Sequence, residues 1–341
     1  MTMSQSLPKL AEHHDVPRRA PRQRDFLAHH FESAQQQFDA GKFGMWLFLV
    51  TEILFFSGLF CAYAVYRSTH MEAFANADRY LDSTLGATNT VVLIFSSLTM
   101  AWAVRAAQLG QQQLLVRLLG ITLACASIFL GVKAVEYSHK WDMGVLWASK
   151  FHPTDHAAHS AALLVLSIPA ALASMLTSIG YFLAVVKNNP IGVGFWKVMF
   201  LACIAYFAGV GIGLGVPQIE KAITGASHEV QAAHHEEASH DEKHADAHAP
   251  AAATPAMKEH DLKAEQEATY TGIFFSIYYV MTGLHAIHIL AGMGTIAWLL
   301  WRSLRGDFGP DYFGPVDYVG LYWHLVDLIW IYLFPLLYLL G

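Results

Sequence analysis

Seven stretches of this chain are apolar over the roughly 20 residues that a helix rising 1.5 Å per residue needs to cross the hydrocarbon core of a bilayer. They are residues 43–66, 85–107, 114–137, 161–186, 195–216, 270–301 and 318–340. Hydrocarbon offers no hydrogen-bond partners to a backbone, so stretches of this length satisfy their own N–H and C=O groups by coiling into helices. The fold class predicted is all-α: a polytopic membrane helical bundle with seven transmembrane helices. The sixth stretch is longer than a bilayer requires and is expected to tilt or to extend past it.

Composition agrees. The chain has 341 residues, 55% hydrophobic and 14% charged, whereas soluble domains carry about 25% charged residues. The net charge is -6 and no basic face is present, which excludes nucleic acid as a partner. Cys61, Cys125 and Cys203 lie inside apolar runs without a C-x-x-C pair and read as small packing residues. Residues 1–42 are polar. They lack the apolar core of a signal peptide, and Glu12, Asp15, Asp25, Glu32 and Asp39 do not suit a mitochondrial transit peptide. The first transmembrane helix is therefore expected to act as the uncleaved insertion signal.

Orientation follows from the short loops. With the N-terminus in the cytoplasm, the inner segments hold Lys9, Arg18, Arg19, Arg22, Arg24, Lys42, Arg105, Arg117, Lys187, Lys197, Arg302 and Arg305. The short outer loops hold only Arg67, Arg79, Lys140 and Lys150. The positive-inside rule favours that choice and puts the C-terminus in the periplasm of a bacterial inner membrane. Trp46, Tyr66, Trp301, Tyr318 and Tyr338 fit aromatic belts at the two interfaces. The chain then divides into a cytoplasmic segment (1–42), three helices (43–137), a periplasmic loop with two helices (138–216), a His-rich periplasmic loop (217–267) and two final helices (268–341). The segment 217–267 is rich in Ala, His and acidic residues without apolar periodicity, and is expected to be disordered or partly helical in solvent.

Ionisable residues inside apolar helices cost about 2.5–3.5 kcal/mol each near the bilayer centre and usually face protein or water. Glu52 lies eight residues beyond Gly44 in the first span. It reads as a hydrogen-bonded neutral acid or as a group that handles protons or meets lipid headgroups. Lys133 and Glu136 are three apart on the third span and can pair on one face, although Lys133 near a helix end can also snorkel. His285 and His288 share a face of the sixth span. His324 and Asp327 lie three apart on the seventh. Imidazole is a common metal ligand, and a helical His can equally hydrogen-bond a neighbouring helix. In the loop after the third span, His152, His156 and His159 are weak metal candidates with Asp155, as are His228, His234, His235, His240, His244, His248 and His260 further on. No spacing among them is specific. The alternating glycines Gly209, Gly211, Gly213 and Gly215 suit close helix packing rather than a phosphate loop.

Three segments together resemble subunit III of the haem–copper terminal oxidases. They are Lys42-Phe-Gly-Met-Trp-Leu-Phe-Leu-Val-Thr-Glu-Ile-Leu-Phe-Phe, Tyr278-Tyr-Val-Met-Thr-Gly-Leu-His-Ala-Ile-His-Ile-Leu-Ala-Gly, and Leu321-Tyr-Trp-His-Leu-Val-Asp-Leu-Ile-Trp. They stand in the family's order, and Ala134-Val-Glu-Tyr resembles the end of a further family helix. The resemblance implies an accessory subunit without a redox centre of its own. Haem and copper would sit on partner subunits, with catalysis on subunit I. This chain would pack on subunit I, and on subunit II as well, bind phospholipid, and help sustain proton uptake during oxygen reduction with cytochrome c or quinol as donor. Glu52 matches the family's buried glutamate; His285, His288, His324 and Asp327 match polar or lipid-contact positions, and none is implied as a metal ligand. Lys133 stands where family members often carry Gln.

Five of the seven spans follow the family pattern. The two between residues 138 and 216 read as an inserted pair, expected to dock outside the bundle or against further subunits of a respiratory assembly. An accessory subunit of a nitric oxide reductase shares this pattern. A proton-linked transporter using Glu52, Lys133 and Glu136 would need internal repeats that the sequence lacks, and a membrane cytochrome on His285, His288 or His324 would show haem absorbance. Deleting residues 228–260 is expected to leave assembly of the complex unchanged, as judged by the subunits that co-purify in mild detergent; loss of a subunit or of bound metal would give that loop a role.

Overall fold

The structure is a computed structural model that describes residues 27–77, 80–146, 161–235 and 255–339, with side chains up to Glu220 in the third stretch and from Thr269 in the fourth. Eight helices occur among these residues: α1 (Ala34–Thr69), α2 (Met71–Ala77), α3 (Ser83–Gln108), α4 (Gln112–Asp142), α5 (Ala162–Val186), α6 (Pro190–His235), α7 (Pro255–Leu304) and α8 (Gly314–Tyr338). Seven are long and apolar enough to cross a membrane. The chain is a multi-pass membrane protein with the expected all-α fold. The additional element is α2, a seven-residue turn of helix whose Ala73, Phe74 and Ala77 are buried.

Local chemistry sets the helix ends. Ser33 caps α1 by accepting from the Gln36 N–H at 3.1 Å, and Asp82 caps α3 by accepting from the Leu85 N–H at 2.9 Å, each satisfying an N–H that has no partner within its helix. Gly110, Gly144 and Gly306 take positive φ just past the ends of α3, α4 and α7, a backbone state that costs glycine least. α6 and α7 outrun the bilayer furthest. α6 has 46 residues and α7 has 50, so α7 is about 75 Å long against a hydrocarbon core of about 30 Å. The backbone is thus helical over 217–235 and 255–267, the partly helical alternative for the His-rich segment; residues 236–254 lie outside the description, as do His152, His156 and His159.

The core lies among α3, α4, α7 and α8, around Leu93, Phe129, Tyr278, Trp323 and Trp330. α1 leans on α8 and α7 along a narrow seam. Its buried residues, Leu49, Phe56 and Tyr63, recur every seventh position, the period of a helix that touches its neighbour along one edge. Tyr63 fixes the seam by donating to the Leu336 carbonyl at 2.6 Å. At the far end Tyr318 donates to the Phe38 carbonyl at 2.9 Å, and Lys42 pairs with Asp317 at 3.3 Å.

α5 and α6 pack on the outside of α4. The approach of α6 is close enough to exclude side chains. A Cβ on Gly131 would strike the Tyr206 carbonyl, and one on Gly209 would strike the Ile128 carbonyl. Gly213 faces Val135, while Gly211 and Gly215 open onto empty space. Only alternate members of the glycine run serve packing, because successive pairs point to opposite sides of the helix.

Two expectations need correction. Tyr338 is not an interfacial belt residue: it is 2% exposed and sits in the core. Lys140 is not an outer-loop charge. α4 runs on to Asp142, and Lys140 is buried on it, 1% exposed. Gly131→Leu is expected to lower the thermal unfolding temperature in detergent, since overpacking a filled contact costs typically 1–3 kcal/mol or more; Gly211→Leu, on the open side, should leave it unchanged.

Candidate functional site

Every charged group predicted inside the described spans makes a specific contact or is deeply buried. On α1, Glu52 Oε2 lies 2.9 Å from His288 Nε2 on α7. The other ring nitrogen, Nδ1, is 2.8 Å from the Leu284 carbonyl. A carbonyl only accepts, so Nδ1 carries a hydrogen. The Glu52–His288 contact then holds one further proton, placed either on the carboxyl or on Nε2. The Tyr322 hydroxyl donates to the His288 carbonyl at 3.1 Å, and the Phe56 ring meets the imidazole edge-on. Both partners are partly exposed, at 19% and 17% of their side chains, so the pair reaches the outer surface of the bundle beside Phe55.

His285, one turn before His288, has a different setting. It is fully buried against Phe129 and Trp330, with ring centroids 5.6 and 5.4 Å away. Its two ring nitrogens have no hydrogen-bond partner among the described residues. His324 on α8 lies 2.6 Å from the Ser97 hydroxyl on α3 through Nδ1. Asp327, 1% exposed, is close to Ser97 but has neither carboxylate oxygen within hydrogen-bond geometry of a described group.

The densest cluster surrounds Glu136. Lys133, Glu136 and Lys140 fall at three- and four-residue spacings, which brings them to one face of α4. Glu136 Oε2 accepts from Lys133 Nζ at 2.7 Å. Oε1 accepts from Lys140 Nζ at 2.7 Å, from the Tyr278 hydroxyl at 2.6 Å and from the Tyr338 hydroxyl at 2.5 Å. Lys133 also donates to Tyr338 at 2.7 Å. Its ammonium stands 4.6 Å from the Trp330 ring, and that of Lys140 stands 4.9 Å from the Tyr278 ring, both within cation–π range. One carboxylate thus joins α4, α7 and α8. Lys133 is paired inside the protein and does not snorkel.

The sequence missed Lys140, Tyr278, Tyr338 and Ser97. Lys140 carried a readable signal, its position four residues after Glu136, once α4 was continued past Tyr137. The two tyrosines belong to other helices and share no sequence relation with α4. Among the described residues, no group of three or more His, Cys, Asp or Glu side chains is arranged to hold a metal ion.

A profile described as Cytochrome c oxidase subunit III matches residues 14–207 and 216–341. Relatives include a protein named Cytochrome c oxidase subunit 3 from Thermostichus vulcanus, 44% identical over 71 residues, 20% of this chain and 35% of that one. Another of that name, from Synechocystis sp., is 46% identical over 72 residues, 20% of this chain and 30% of its own. A protein named Heme-copper oxidase subunit I+III from Aeropyrum pernix is 38% identical over 69 residues, 20% of this chain and 8% of that one. The aligned part spans about a third or less of the length of these relatives.

Breaking a buried ion pair by removing one partner costs about 3–5 kcal/mol because the surviving charge stays buried. Glu136→Gln strands two ammonium groups and is expected to lower thermal stability in detergent more than Lys133→Gln, which leaves Glu136 with Lys140. Equal unfolding temperatures for parent and Glu136→Gln would remove the cluster's structural role.

Proposed function

The chain belongs to the cytochrome c oxidase subunit III family, and from that premise we propose that it is the non-redox accessory subunit of a proton-pumping cytochrome c or quinol oxidase in aerobic respiration. Haem and copper belong to partner subunits in this reading, and the oxygen chemistry to subunit I. This chain packs on subunit I and subunit II, binds phospholipid and sustains proton uptake through repeated turnovers. A relative whose name joins subunits I and III supports the contact with subunit I.

The observation that carries the proposal is the Glu52–His288 pair. It places an exchangeable proton at the rim of the bundle, between two helices and beside outward-facing aromatic side chains. A group of this kind is suited to hand a proton to a neighbouring path, or to hydrogen-bond a lipid headgroup, without itself doing redox chemistry. The outer faces of α1 carry Phe43 and Leu54, 66% and 65% exposed, and α5 carries Leu164, 73% exposed. In a membrane these faces meet lipid or a partner subunit.

We further assign α1, α3, α4, α7 and α8 to the family's helices and α5 with α6 to an inserted pair, whose free faces are available to further subunits. The membrane is a bacterial inner membrane with the N-terminus cytoplasmic and the C-terminus periplasmic. Moving Lys140 from the outer loops into the core strengthens that orientation under the positive-inside rule.

Glu52→Gln tests the assignment. The variant keeps a hydrogen-bonding side chain, so the oxidase is expected to assemble with its full haem spectrum. The number of turnovers before activity decays should fall relative to the parent. Unchanged endurance would leave Glu52 as a structural or lipid-contacting acid.

A further inference from the structure

Asn89, His285 and Asp327 come from α3, α7 and α8, and none of their side-chain polar atoms has a hydrogen-bond partner among the described residues. Their exposures are 0%, 0% and 1%. Burying a polar group without a partner forfeits its hydration, so native proteins rarely leave such atoms unmet, and ordered water is the usual remedy where side chains do not reach.

The three lie near the level of one indole. The His285 ring lies along Trp330, 5.4 Å between centroids. The Trp330 Nε1–H donates to Thr90 at 3.1 Å, which puts the adjacent Asn89 at the same level of the bundle. Asp327 is one turn from Trp330 on α8, on the same face, and lies midway along that helix. Lys133 Nζ, 4.6 Å from the same indole, is where the Glu136 cluster begins.

The charges point the same way. Lys133 and Lys140 share one carboxylate, which leaves a single positive charge over. Asp327 is the further carboxyl of this interior; the Ser97 hydroxyl is close to it, and among the described residues no cation pairs with it. Cys125 on α4 lies close enough to feel its charge, His324 precedes it by three residues on α8, and His285 from α7 lies along Trp330, one turn further on. When all four charged groups ionise, the interior sums to zero but holds two unpaired charges apart in a low-dielectric medium. A proton moving from Lys133 to Asp327 removes both.

We propose that the interior of the α3–α4–α7–α8 bundle binds ordered water between Asp327, His285, Asn89 and Lys133, and that this water lets Asp327 and the lysine cluster exchange one proton. In the exchange an N–H bond of Lys133 breaks and an O–H bond forms on Asp327. No electron changes hands. The inference concerns this chain's interior and is independent of any role for Glu52.

The test uses the chain purified with its native partners. A cryo-electron microscopy map detailed enough to show water is expected to contain peaks within hydrogen-bond distance of Asp327 and His285; a map without them overturns the site. Infrared difference spectra, with the carboxyl band assigned by its loss in Asp327→Asn, report the exchange. On transfer to D₂O the parent band should shift within minutes, and His285→Phe should slow that shift at least tenfold. His285→Gln, which keeps donor and acceptor, should restore it. A band that shifts equally fast in His285→Phe, or that resists exchange in the parent, overturns the proton path.

Discussion

Glu136 is the group on which the centre of this bundle depends. An ionised carboxylate surrounded by hydrocarbon is unaffordable alone, and here four donors from three helices converge on it. Their geometry fixes how far α4, α7 and α8 can rotate or slide against one another. Apolar packing between membrane helices sets no such register, because lipid tails are as apolar as leucine. The aromatic layer of Phe129, Trp330 and His285 is then stacked against an already registered frame. α1 sits outside that frame, joined by a single seam; α6 is attached to its back through the glycine contacts on α4, and α5 packs beside α6.

Much of the architecture was legible because hydrophobic length is a local property. The seven spans and their order follow from runs of apolar residues. The pairing of Lys133 with Glu136 was readable from three-residue spacing. What could not be read depends on which helix lies beside which. Tyr338 has the composition and position of a belt residue, and only the placement of α8 against α4 turns its hydroxyl toward Glu136. Lys140 was obscured differently: charges near a span's end look like loop, yet α4 continues because Glu136 offers that ammonium a partner.

The histidines show the same division. His285 and His288 sit one turn apart on α7, and nothing in that spacing distinguishes them. The fold sends one across to Glu52 and seals the other beneath Trp330. Spacing places residues on a common face, while the neighbouring helices decide what that face meets. The same holds for the glycine run, where Gly209 and Gly213 press on α4 and their alternates face away.

The proton between Glu52 and His288 has two homes less than 1 Å apart along a 2.9 Å contact. Moving it converts a neutral pair into an ion pair without altering the net charge, so the site acts as a small reversible dipole. A full charge crossing the whole membrane is worth about 2.3 kcal/mol per 100 mV, and a step of one-thirtieth of the hydrocarbon thickness is worth only roughly 0.1 kcal/mol. The membrane voltage therefore has almost no grip on this dipole. Its setting answers to whatever polar group, lipid or protein, comes to rest against its exposed edge.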